Sequence, residues 1–137
     1  MDGADRVAEP EGGYQFEPLS QRVIAAAIAV HKELGPGFRE EVYDSALRLE
    51  LEERGIQYAR QVEIPVHYRG RFVGTHTLDL LIEGTQVVEL KSVAVLLEVH
   101  HAQLTAYLRA ADVRVGLLLN FGTMPLGIKL QVNRYNG

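Results

Sequence analysis

Leu78-Asp79-Leu80-Leu81-Ile82-Glu83-Gly84-Thr85-Gln86-Val87-Val88-Glu89-Leu90-Lys91-Ser92 reads as two apolar strands joined by a glycine-centred turn. Such short links force antiparallel pairing. Side chains alternate along a strand, so Glu89 and Lys91 share one face while Val88 and Leu90 occupy the other. By the same alternation Asp79 is expected opposite Leu78, Leu80 and Ile82. Whether Asp79 meets Glu89 depends on register. A two-residue loop puts Asp79 on the wrong face. A three-residue loop, Glu83-Gly84-Thr85, pairs Ile82 with Gln86 and sets Asp79 opposite Glu89.

The flanking segments supply the rest of the fold. Ser20 is the expected N-cap of a helix over 21–34, with Val23, Ala27, Val30 and Leu34 at helical spacing, stopped by Gly35-Pro36-Gly37. A second helix is expected over 38–54, ending at Gly55, with Val42, Ala46, Leu47, Leu49 and Leu51 as its buried side. Alternation then marks a strand over 57–68, in which Pro65 suggests an edge or a bulge. The next strands are expected at 72–82 and 86–91, a third helix at 99–110, and further strands at 113–120 and 128–132. The continuous apolar run Val113–Asn120 suits a strand covered on both faces. The order, helix, helix, three strands, helix, strand, strand, predicts an α/β fold whose mixed sheet is flanked by helices.

Bulk properties narrow the chemistry. The 137 residues make one domain, 47% hydrophobic and 23% charged, as in ordinary globular proteins. Residues 1–18 lack apolar periodicity and read as a flexible tail, leaving 19–137 as the folded domain. With no cysteine, thiol catalysis, disulfides and Cys-ligated zinc are excluded. No apolar run is long enough to span a membrane. The first residues resemble no targeting peptide, so a cytoplasmic location is expected. The net charge is −4, but Asp2, Asp5, Glu9, Glu11 and Glu17 lie in or beside the tail, and the remaining body is near neutral. Such a body does not predict tight, salt-driven binding to nucleic acid.

Two carboxylates can hold a hard divalent cation through oxygen. A lysine beside them can orient a water for attack on a phosphodiester while the cation lowers that water's pKa. Asp79, Glu89 and Lys91 supply those groups if they converge; otherwise they are charges on a half-solvated sheet. Glu40 could add a third carboxylate, or could simply be an acid favoured at a helix start. Tyr43 shares its helix face; the alternative is a core aromatic with a bonded hydroxyl. Gln103 and Tyr107 share a face of the third helix, with His100 one turn earlier. They could bond phosphate oxygens or pack on the sheet. The histidines show no ligand spacing.

These residues together resemble a known family. Gly37-Phe38-Arg39-Glu40-Glu41-Val42-Tyr43 fits the pattern that names the GxxExxY proteins of the PD-(D/E)xK nuclease superfamily. AAIAVHKELGPG, VVELKSV, HHAQLTAYL and GLLLNFG follow suit, so the resemblance covers roughly residues 20 to 134. It implies a restriction-endonuclease-like core, α-β-β-β-α-β. It implies Mg2+ or Mn2+ held by Asp79, Glu89, the Leu90 carbonyl and Glu40. Lys91 would serve the attacking water, and Gln103 and Tyr107 would support, as in RecB-like nucleases. DNA is the implied partner, and a homodimer would suit so small a domain. At Thr77-Leu78-Asp79 the chain lacks the arginine that relatives often carry before the Asp. A member that has lost turnover and only binds nucleic acid or protein is the alternative.

Overall fold

The computed structural model describes residues 17–133. Most of the expected tail, residues 1–16, lies outside them. Helix α1 (Pro18–Leu34) and helix α2 (Glu40–Glu53) precede three strands, β1 (Tyr58–Tyr68), β2 (Arg71–Ile82) and β3 (Gln86–Lys91). Helix α3 (Glu98–Ala111), β4 (Val115–Asn120) and β5 (Gly127–Val132) complete the order. The five strands pair in sequence order, β1-β2-β3-β4-β5. Only β3 and β4 run parallel, because α3 carries the chain across the sheet between them. The expected α/β architecture with a mixed sheet is therefore present.

Each face of the sheet has its own core. Val23, Ala27 and Val30 of α1 and Tyr43, Leu47 and Leu51 of α2 pack on Leu80, Ile82, Val88, Leu90, Leu117 and Leu119. On the opposite face, Leu104 and Leu108 of α3 pack on Ile64, Leu78, Val87 and Leu118. All six residues of β4 are buried, as a strand covered on both faces requires.

Three local expectations need correction. Helix α1 begins at Pro18 with Glu17 as its N-cap, so Ser20 is not the cap. Its hydroxyl is instead buried and donates to Gln86 Oε1 at 2.7 Å. Helix α2 starts at Glu40 rather than 38. Its buried stripe is Tyr43, Leu47 and Leu51, while Val42 and Leu49 are exposed. The 4-residue spacing from Tyr43 sets the helix rotation and turns Val42 and Leu49 outward.

The hairpin of β1 and β2 is long, and only its base joins the sheet. Partners of β2 on β3 are confined to Leu80, Leu81 and Ile82. Towards Arg71, β2 pairs with β1 alone. Pro65 lies on this edge strand, and the register shifts between Val66 and His67, satisfying both roles that a strand proline suggests.

Candidate functional site

The turn from β2 to β3 has positive φ at Glu83 (48°) and Gly84 (71°). It closes with Thr85 N–H donating to the Ile82 carbonyl at 2.9 Å. Positive φ at both central positions matches the right-handed twist of the flanking strands. Ile82 pairs with Gln86 and Leu80 with Val88, the register of a three-residue loop.

Beyond Leu80 and Val88 side chains take over from the ladder. The Leu90 N–H donates to Asp79 Oδ2 at 2.9 Å, and the Asp79 N–H reaches Glu89 Oε1 at 3.4 Å. These bonds hold the two acids together where the strands part. The flanking β1 strand is distorted at the same level. Gln61, between the partners of Leu80 and Leu78, has φ 50°. The sheet changes sides here: Leu80 belongs to the core under α1 and α2, whereas Leu78 belongs to the core under α3. Strict alternation therefore fails at Asp79, and the expectation that Leu78 and Leu80 share a face is corrected.

Asp79 consequently borders two environments. On one side it lines a cleft of about 190 Å3 with Glu40, Asp44, Arg48, Arg60 and Leu90. On the other it meets Glu89, which is only 6% exposed. Burial, then the charge and hydrogen bonding of Asp79, push the Glu89 carboxyl from its ordinary 4.5 to about 9. The bond from the Asp79 N–H and the nearness of Lys91 oppose this rise without cancelling it. Glu40 is half-buried at the first position of α2 and shares the cleft with Asp79. Among the described residues, no three His, Asp or Glu side chains gather closely enough to hold a metal ion. The structure thus sets Asp79 against Glu89, and on the same cleft as Glu40, without forming one three-acid cluster.

Tyr107 of α3 is half-buried and stacks on His76, with ring centroids 3.5 Å apart. Burial first, then Glu89 and Asp79, raise its phenol pKa, so this hydroxyl lies within reach of the acids' field. Gln103 sits one turn before it and makes no hydrogen bond among the described residues. His100 Nδ1 accepts the Leu97 N–H at 2.9 Å and so serves the start of α3.

Tyr43 has a different setting. It is fully buried, stacks on Phe121 at 4.6 Å, donates to the Gly35 carbonyl at 2.5 Å and accepts the Phe38 N–H at 3.1 Å. It does not line the cleft. Its hydroxyl closes the Gly35–Phe38 turn, where Gly37 has φ 121°, and thereby sets where α2 and Glu40 begin. This gives the Gly37, Glu40, Tyr43 spacing a physical basis. Tyr43→Phe is expected to leave two backbone groups unpaired and cost about 1–2 kcal/mol, read by denaturant titration.

Two contributors escaped the sequence. His76 shows no local signal; its Nε2 is buried without a partner among the described residues. Burial holds its imidazole towards the neutral form, with Asp79 opposing that shift and Lys91 reinforcing it. Asn120 enters the sequence reading only as the end of an apolar run, yet it is 1% exposed and clamps the chain just after Lys91. Its Oδ1 accepts the Val93 N–H and its Nδ2 donates to the Val93 carbonyl, each at 3.0 Å. Phe121 N–H adds a bond to the Lys91 carbonyl at 2.8 Å. The Val93 backbone also lies directly on Gly122, where an added Cβ would strike the Val93 carbonyl and come within 2.5 Å of its nitrogen. Gly122→Ala is therefore expected to cost about 3 kcal/mol or more through overpacking, seen as a lower thermal midpoint.

Comparison with known proteins adds one match. A family model described as the PD-(D/E)XK nuclease superfamily matches residues 17–135, which include every described residue. A search of curated proteins found no match.

Proposed function

The chain belongs to the PD-(D/E)XK nuclease superfamily, and from that membership we propose that it hydrolyses phosphodiester bonds of DNA with Mg2+ or Mn2+. Within the superfamily we place it among the GxxExxY proteins on Gly37, Glu40 and Tyr43. The observation that carries the proposal is the contact of Asp79 with Glu89 where β2 and β3 part, with Lys91 two residues on.

The donor chemistry fits a hard divalent cation. A buried carboxyl that holds its proton to about pH 9 beside a second acid lacks positive charge, and oxygen ligands suit Mg2+ or Mn2+. Asp79 and Glu89 would hold the ion with the Leu90 carbonyl, and Glu40 would join from the cleft wall, directly or through water. Bound there, the ion would lower the pKa of a water and neutralise charge on the phosphate. Lys91 orients the attacking water and stabilises developing negative charge. Tyr107 and Gln103 donate towards phosphate oxygens, and Tyr43 positions Glu40 through the turn it closes.

The test is cleavage of single-stranded, duplex and branched DNA, and of RNA, in Mn2+ against EDTA, with Asp79→Ala as control. Cation-dependent cleavage absent from the variant supports the proposal; no cleavage of any substrate, or equal cleavage by both proteins, contradicts it. A binding module without turnover is the second reading. It is favoured by the net charge of −4 and by Glu40 standing outside an acid cluster. Cytoplasmic location and self-association belong to the same proposal. Among the described residues, no helix is long and apolar enough to cross a membrane.

A further inference from the structure

The β1–β2 hairpin has, from β1 to the middle of β2, a composition unlike the rest of the chain. Residues 58–77 carry Arg60, Arg69 and Arg71 against the single acid Glu63, in a protein of net charge −4. These arginines form no ion pair among the described residues. At the tip Tyr68 is 61% exposed and Phe72 62%. The Arg69 guanidinium lies over the Tyr68 ring, 5.2 Å from its centre. No acid occurs between His67 and Gly74.

Position links this tip to the candidate site. Arg60 and Gln61 line the cleft shared by Asp79 and Leu90, and the same strand continues outward to the tip. The side of the arm away from α3 is open, with Pro65, His67, Thr75 and Thr77 exposed. Asp79 lies seven positions after Phe72, about 23 Å at the usual strand rise.

We infer that the β1–β2 arm binds unpaired bases of a nucleic-acid strand passing from the cleft to the tip. Phe72 lies beside His67 on the open face and Tyr68 beside Arg71 on the other, so the two rings straddle the tip. Both stack on bases as the strand rounds it, while Arg69 and Arg71 contact the flanking phosphates. This combination of aromatic platforms with a cationic track is what binding of single strands requires. A second copy of the chain is a poorer occupant. A two-fold contact places the same patch on both sides, and here it would oppose arginines with no acid between them. The inference rests on the nuclease reading for its substrate class, and binding can be measured without turnover.

The experiment is fluorescence anisotropy in EDTA with labelled single-stranded and duplex DNA of about twenty nucleotides, long enough to cover one such site. Tyr68→Ser/Phe72→Ser should weaken single-strand binding about tenfold or more and leave duplex binding nearly unchanged. Arg69→Ser/Arg71→Ser should reduce the salt dependence of single-strand binding by about 1.4 in log–log slope, for two phosphate contacts. All four side chains are exposed, and thermal melts verify that the variants fold. Unchanged binding in both variants, a greater loss on duplex, or no single-strand binding by wild type overturns the inference. So does a tip-dependent dimer in sedimentation with DNA binding unaltered. Mn2+-dependent cleavage with unaltered arm binding removes the arm proposal and leaves the nuclease. Loss of binding in the arm variants without wild-type cleavage does the reverse.

Discussion

Lys91→Ala is expected to slow Mn2+-dependent DNA cleavage by about a hundred- to thousandfold, the usual cost of removing one preorganised charge from a reacting centre. Lys91 ends β3 beside Asn120 of β4. Its backbone is fixed by the Phe121 N–H and by the Asn120 clamp on Val93. The strand therefore presents the ammonium from a rigid support, and truncation removes charge without disturbing the fold. Its field reaches both Glu89 and His76. Single-turnover rates at saturating Mn2+ should fall while the melting temperature stays within a few degrees. Cleavage that persists unchanged in the variant would assign the water's activation to another group.

Glu89→Gln carries the largest expected effect on stability. In the folded, metal-free protein this carboxyl keeps its proton to about pH 9, whereas its ordinary value is 4.5. Between those values the folded state binds more protons than the unfolded chain. Stability must then fall as pH rises through the window, with a slope approaching about 1.4 kcal/mol per pH unit, and level off above it. In EDTA the wild type should lose roughly 10 °C of melting temperature between about pH 6 and about pH 8. Glu89→Gln is nearly isosteric and does not ionise, so it should flatten that dependence and melt higher at about pH 8. Parallel pH profiles for the two proteins would mean that Glu89 is charged in the folded state.

Much of this was legible because local rules agreed with the global fold. The Glu83-Gly84-Thr85 loop has an odd length and a glycine, and these set the register that brings Asp79 towards Glu89. The apolar run of β4 announced a strand covered on both faces. Legibility ended where a residue departs from the common rule. Gln61 takes a positive φ without being glycine, so nothing in the sequence marks the level at which the sheet changes sides. Tyr43 rather than Val42 or Leu49 fixes the rotation of α2, because its hydroxyl and ring have partners in two other segments. Asn120 bonds Val93 across 27 positions of sequence, a distance at which periodicity and spacing carry no signal. The candidate site is thus readable in its residue types and hidden in its support.

Whether Asp79 and Glu89 form a cation site is decided by calorimetric titration of Mn2+ into wild type and Asp79→Asn. Wild type should bind Mn2+ saturably with release of the Glu89 proton near neutral pH, measured as a heat that depends on the buffer. Asp79→Asn should lose at least most of that binding. Absence of binding to wild type, or equal binding to both proteins, would contradict a cation site there.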